Sequence, residues 1–226
     1  MIEAVVFDVD GTLVDSVDLH AHAWREAFRH FGKDVPFERV REQIGKGADQ
    51  LLPVFFSADE LERFGKELEE FRQNLFQHKY MPRVKAFPRV RDLFLHIRHE
   101  GQRVLLASSA KEEELDSYKH LMNAEDLIDE TVNSSEVSKS KPHPDIFSAA
   151  LKRAGVTADR AIAVGDSPYD AEAAGKIRLA TIGMLCGGFP EEKLRAAGCI
   201  AIYRDPADLL AHFEESPLVT REAQAA

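Results

Sequence analysis

Ile2-Glu-Ala-Val-Val-Phe7 opens the chain and runs straight into Asp8-Val-Asp10-Gly-Thr12. A short run rich in β-branched residues that breaks into aspartates and a glycine reads as a buried strand with a turn at its carboxyl end. Similar strand-like runs recur at residues 103–107, 161–164, 180–183 and 199–203. Helical patterns lie between them. Val90, Leu93, Phe94 and Ile97 fall on one face, with Gly101 placed as the stop. Residues 144–154 repeat the pattern with Ile146, Phe147, Ala150 and Leu151, and Gly155 ends it. Strands alternating with helices predict an α/β fold, a parallel sheet with helices on both faces. In such sheets, ligands bind beyond the carboxyl ends of the strands.

Residues 17–84 do not alternate. Segments 19–31, 37–44 and 58–76 all read as helices, with breaks at Gly32 and at Tyr80-Met-Pro82, and no strand stands out. The expectation is a core of residues 1–15 and 86–226, interrupted by an all-helical insertion over residues 16–85. Charge divides the same way. The chain carries 29 Lys and Arg against 39 Asp and Glu, a net charge of -10. Residues 16–85 hold 12 of each sign, so the acidic excess lies elsewhere. The tail, residues 217–226, has few anchoring apolar side chains and is expected to fray.

Composition narrows the function classes. An apolar fraction of 44% in 226 residues suffices for a sizeable core. An acidic chain is a poor general ligand for nucleic acid, so no such partner is expected. No apolar run approaches the roughly 20 residues of a membrane span. No basic stretch precedes an apolar one at the N-terminus, so no secretory signal is expected. Cys186 and Cys199 lack zinc-like spacing, and two cysteines make no disulfide framework; a cytoplasmic location fits best.

The chemistry is carried at strand ends. Asp8 and Asp10 repel unless a cation or a shared proton relieves them. Alone, the pair reads equally well as a solvated turn. A second cluster, Gly165-Asp166-Ser-Pro-Tyr-Asp170, follows the strand-like run 161–164. If the two strands are neighbours, Asp8, Asp10, Asp166 and Asp170 converge. Oxygen-only ligation suits Mg²⁺, and the absence of His from these loops disfavours zinc. Ser108 and Ser109 follow the run 103–107 and offer hydroxyl and N–H donors. Lys141, before Pro142 and a helix start, supplies a point charge for a phosphoryl oxygen. Each feature alone is also an ordinary turn, cap or surface residue. Four in order, each tied to its own strand or helix start, point to phosphoryl chemistry.

Asp8-Val-Asp-Gly-Thr-Leu13, Ser108, Lys141-Pro-His-Pro-Asp-Ile-Phe147 and Gly165-Asp-Ser-Pro-Tyr-Asp170 resemble the four ordered motifs of the haloacid dehalogenase superfamily. Within it, the chain is similar to the phosphoglycolate phosphatase and β-phosphoglucomutase group, whose core is Rossmann-like and whose helical cap is inserted between the first two motifs. The likeness spans about Val5 to Gly188. It implies that Asp8 is the nucleophile that forms an aspartyl-phosphate, and that Asp10 protonates the leaving alcohol and then activates water. It implies Mg²⁺ held by Asp8, by Asp10 through its backbone carbonyl, and by Asp166. It further implies that Ser108, the Ser109 N–H and Lys141 hold the phosphoryl oxygens, that Gly11 and Thr12 admit the phosphate close to the backbone, and that Asp170 orients Lys141 or a metal-bound water. The Asp8–Asp10 pair favours phosphoryl transfer over carbon–halogen cleavage, which needs no acid for a departing alkoxide.

In the insertion, His20 and Trp24 share a helical face. The resemblance places His20 near Asp10 as a gate; the alternative is a hinge residue, with Trp24 in the cap core. Ile44-Gly-Lys-Gly47 resembles the family's substrate-specificity loop, where Lys46 meets a second anionic group or is merely solvated. Arg72 and Lys79 are further candidate contacts. The mutases carry an Arg just after this loop, whereas this chain has Ala48-Asp-Gln50. The leading expectation is therefore a Mg²⁺-dependent phosphatase of a small phosphorylated metabolite. A hexose 1-phosphate mutase is the alternative, and a non-catalytic binding protein a distant one. The cap should hinge at residues 14–17 and 84–87, and a monomer is the default.

Overall fold

The structure, a computed structural model, describes residues 1–219. Strand β1 (Ala4–Phe7) is buried along its whole length. A two-residue strand β2 (Val14–Asp15) leads into helices α1 (Val17–His30), α2 (Phe37–Arg41), α3 (Ala48–Leu51) and α4 (Ala58–Leu75), and β3 (Lys85–Ala86) brings the chain back. Then follow α5 (Val90–His99), β4 (Arg103–Ala107), α6 (Glu112–Met122), β5 (Glu130–Val132), α7 (Asp145–Ala154), β6 (Ala161–Gly165), α8 (Pro168–Gly175), β7 (Ala180–Met184), α9 (Glu191–Ala197), β8 (Cys199–Tyr203) and α10 (Pro206–Ala211).

Six strands form one parallel sheet in the order β5-β4-β1-β6-β7-β8. Alternate residues of β1 point to opposite faces, and both faces are covered. Val5 and Phe7 pack with Leu93, Phe94 and Ile97 of α5. Ala4 and Val6 pack with Ile146, Phe147 and Ala150 of α7. The expected α/β, Rossmann-like core is thus what the chain forms. Register matters for function: Phe7 pairs with Leu106 on one side and Val164 on the other. The carboxyl ends of β1, β4 and β6 therefore lie level, and the residues just past them share one edge.

Helices α1–α4 bury a separate cluster that includes Trp24, Phe28, Leu51, Phe56 and Leu68. Phe28 lies 5.1 Å from both Phe55 and Phe56, ring centre to ring centre. Helix α4 begins on a reciprocal cap in which Ser57 and Glu60 serve each other's backbone N–H groups. The two chain crossings between this cluster and the sheet pair as an antiparallel ribbon, Val14 with Ala86 and Asp15 with Lys85.

Some expectations need correction. The second insertion helix ends at Arg41 instead of reaching residue 44, because Gly45 follows with φ +106° and the Ile44 N–H closes a tight turn onto Arg41 O. Past Leu75 the helix widens into a π-type turn, Phe76–Tyr80. Strand β5 had no sequence signal; it is three residues long, and only Val132 is buried. The tail is anchored further than expected: Leu218 is fully buried and its carbonyl accepts from Gln102 Nε2 at 2.7 Å. Residues 220–226 of that tail lie outside the described residues. No helix among the described residues is long and apolar enough to cross a membrane, and both cysteines are free.

Candidate active site

Asp8 is the first residue past β1, Ser108 the first past β4 and Asp166 the first past β6. The level strand ends bring them together. Carboxylate oxygens of Asp8, Asp166 and Asp170 lie within 4.8 Å of one another, all buried. The Thr12 hydroxyl stands between two of them, 3.2 Å from Asp166 Oδ1 and 3.4 Å from Asp8 Oδ2. Lys141 is fully buried. Its Nζ contacts Asp8 Oδ1, Asp170 Oδ1 at 2.7 Å and the carbonyl of Ala107 at 3.0 Å. Asp170 is itself pinned, since its other oxygen accepts from Ser167 N–H and Oγ at the start of α8.

The electrostatics follow from three carboxylates around one ammonium. Burial pushes Lys141 down, but the charges of Asp170 and Asp8 outweigh it and hold the group protonated. Burial pushes Asp8 up; Lys141 pulls it back while Asp170 and Asp10 add to the rise, and the result lies above the carboxylate range. Asp166 is raised well above it by burial and by the charges of Asp8 and Asp170. An all-oxygen cluster with more buried negative charge than Lys141 neutralises fits a hard divalent cation.

Asp10 faces the other way. Its Oδ1 accepts from Ser16 Oγ at 2.6 Å and lies 2.7 Å from His20 Nε2. Burial pushes this carboxyl up, but His20 and Ser16 together bring it down to about 2. Arg72 donates to the opposite ring nitrogen, Nδ1, so Nε2 carries the proton that Asp10 accepts. The His20 ring stacks on Phe76, centroids 3.9 Å apart, and Arg72 lies over the rings of Trp24 and Phe76. The Tyr118 hydroxyl sits 3.1 Å from His20 Nε2 and donates to Glu114 Oε1 at 3.4 Å.

Asp8 and Asp10 line a cavity of about 330 Å³ between the sheet edge and the helical cluster. His20, Lys46, Arg72 and Ser109 reach it too. Trp24 packs in the helical core, as expected, and also lines the cavity wall. Ser108 Oγ accepts from the Ala110 N–H at 3.1 Å, and the Ser109 hydroxyl is buried without a partner among the described residues. Gly11 has φ +83°, a conformation open to glycine at little cost, and its Cβ position would collide with Asp166 and Val17. Lys46 Nζ donates to Gln43 Oε1 at 2.6 Å and lies 4.6 Å from the Tyr169 ring centre. Lys79 is away from the site, paired with Glu26 at 2.7 Å.

The family follows from comparison. Residues 5–184 match the model of the haloacid dehalogenase-like hydrolases. The chain belongs to that family. A phosphorylated carbohydrates phosphatase of Thermotoga maritima is 27% identical over 92% of this chain and 96% of its own length. A phosphoglycolate phosphatase of Nitrosospira multiformis is 30% identical over 76% of this chain and 78% of its own. Among solved structures, a hydrolase from Pseudomonas syringae superposes with a TM-score of 0.83, at 28% identity, covering 94% of this chain and 98% of its own. The relatives place the chain among the phosphatases of the haloacid dehalogenase-like hydrolases.

Several site residues of this hydrolase escaped sequence reading. Glu114, Tyr118 and Lys111 reach the site from α6 and the turn before it, where the sequence shows only an acidic helix start. Gly187 packs so closely on Asp166 that no side chain fits. Asp49 accepts from Ser140 N–H at 3.2 Å and from its hydroxyl, and the same hydroxyl accepts from Gly47 N–H at 3.0 Å. This contact ties the residue 44–47 loop to the segment that carries Lys141. The Gly-Lys-Gly spacing flags the loop; nothing flags its partner.

Proposed function

We propose that the chain is a Mg²⁺-dependent phosphatase of small phosphorylated metabolites, working through an aspartyl-phosphate on Asp8. The observation that carries the reading is the convergence of Asp8, Asp166, Asp170 and Lys141 at one sheet edge, with Asp10 beside them at the floor of the cavity. Asp8, Asp166 and the Asp10 carbonyl would hold the cation, with Asp170 behind them. Bound there, it offsets the negative charge that a phosphate and an aspartate bring together.

The protein's own groups account for the remaining steps. An Asp8 oxygen attacks phosphorus in line, and the bond to the leaving alcohol breaks as Asp10 gives that oxygen a proton. Lys141, the Ser108 hydroxyl and the Ser109 N–H hold the phosphoryl oxygens. Water then attacks phosphorus, Asp10 takes its proton, and inorganic phosphate leaves Asp8 free. The hydrogen bond from His20 favours the carboxylate form of Asp10, the form the second step needs, so the first step draws on the minority protonated form. Residues 16–85 act as the cap that shuts out bulk water, moving about the β2–β3 ribbon. A reducing cytoplasm suits two free cysteines, and a monomer suffices because this chain supplies every group invoked.

One observation favours a second reading, a hexose 1-phosphate mutase: His20 sits on Asp10 as the resemblance implies for mutases. Against it, Ala48-Asp49-Gln50 carries no Arg, and Asp49 is engaged by Ser140. The test is turnover of p-nitrophenyl phosphate with and without a chelator, then of glucose 1-phosphate. Release of inorganic phosphate that stops with chelator supports the phosphatase. Chelator-resistant turnover removes the metal, and an isomerised sugar phosphate as product favours the mutase.

A further inference from the structure

Lys141 is carried by residues 137–144, a segment between β5 and α7 that no helix or strand covers. Its backbone is held at three points. The His143 N–H donates to Ser140 O at 3.0 Å, Lys176 Nζ donates to the Pro142 carbonyl at 2.7 Å, and the Ser140 N–H donates to Asp49 Oδ2 at 3.2 Å. The third point belongs to the insertion. Asp49 stands in the first turn of α3, where an acid is favoured for its charge alone. That preference does not explain why both oxygens turn to one core residue, Oδ1 to the Ser140 hydroxyl and Oδ2 to its N–H. Oδ2 also accepts from Gln50 Nε2 at 2.9 Å. Burial pushes the Asp49 carboxyl up, but the bonds from Ser140 and Gln50 outweigh it and hold the group below the usual carboxylate range.

Close approach seats the same loop. A Cβ at Gly47 would stand on the Ser140 hydroxyl, and one at Gly45 would lie 2.7 Å from the Ser167 hydroxyl, next to Asp166. Gly47 has φ -75°, open to any residue, so its missing side chain serves the contact and not the backbone conformation. The two glycines thus rest on the neighbours of Lys141 and Asp166. We propose that Asp49 is a positioning residue: through Ser140 it couples docking of the insertion to the placement of Lys141, so that the ammonium is set for a phosphoryl oxygen when the cap is seated. The inference rests on the phosphatase reading for the task of Lys141. The docking contact rests on its own geometry.

The test follows p-nitrophenyl phosphate turnover and amide hydrogen exchange across residues 138–143 in Asp49→Ala, Gly47→Ala and Asp49→Asn. Asp49 is exposed, so truncating it leaves both hydrophobic cores untouched. Asp49→Ala should lower kcat about fivefold, keep KM within about twofold and speed exchange in the segment about fivefold. Gly47→Ala pushes Ser140 away with Asp49 still in place, and should do the same. Asp49→Asn keeps an oxygen that accepts from Ser140, and should recover most of kcat. A raised KM at unchanged kcat makes Asp49 a substrate contact and overturns the inference. So does unchanged exchange in Asp49→Ala, or an Asp49→Asn variant as slow as Asp49→Ala. A protein that hydrolyses no phosphomonoester yet shows the faster exchange overturns the phosphatase reading and leaves the coupling of Asp49 to the Lys141 segment standing.

Discussion

Asp10 owes its state to a chain of contacts two residues long: Arg72 fixes the His20 tautomer, and His20 donates to Asp10. Removing the donor should bring the Asp10 pKa up from about 2 toward the ordinary carboxylate value near 4. In the proposed mechanism dephosphorylation needs Asp10 unprotonated, so His20→Asn should move the acidic limb of kcat to higher pH, which a pH–rate profile would read. Arg72→Met leaves His20 in place but frees its tautomer. It should lower kcat by about tenfold, a positioning loss smaller than removal of the acid itself. Asp8→Asn keeps the shape of the proposed nucleophile and removes its charge. Turnover should fall by about a thousandfold or more with the circular dichroism spectrum unchanged. The aspartates were legible in the sequence because each follows a buried strand. Glu114 and Tyr118 were not, because their acidic helix start looks like any solvated first turn.

At the scale of elements, α8 does two jobs at its first turn. Asp170 closes a reciprocal cap with Ser167 and also pairs with Lys141. Asp170→Ala removes the cap and strips a fully buried ammonium of one of its two carboxylates. The loss should be about 3 kcal/mol or more, measured by urea unfolding. The loop after β7 matters for a steric reason. A Cβ at Gly187 would stand on the Asp166 carboxylate. Gly187→Ala should therefore raise the Mg²⁺ concentration for half-maximal turnover about tenfold, with the fold retained. Strands β1, β4, β6, β7 and β8 announce themselves as apolar runs of four or five residues. Strand β5 does not, since a three-residue edge with one buried side chain leaves no period to read.

Over the whole molecule, the site is a store of unrelieved negative charge. Asp8 and Asp166 have folded pKa values raised above their unfolded ones, mainly by burial, that of Asp8 to about 7. Such groups bind protons more tightly when folded, so the metal-free protein should lose stability as pH rises from about 4 toward 7. A bound divalent cation replaces the proton. Mg²⁺ should therefore raise Tm more at pH 8 than at pH 5, and thermal melts with Mg²⁺ or chelator at the two pH values would show it. The α/β fold, the helical insertion and the acids at the strand ends were determined by the sequence alone, because burial patterns and turn residues are local properties. Only tertiary structure decided which acids meet, that Asp10 faces His20 instead of the carboxylate cluster, and that Ser140 holds the loop of Lys46 from 93 residues away. Those outcomes depend on sheet order, register and helix packing, which bring together residues whose spacing along the chain carries no trace of the contact.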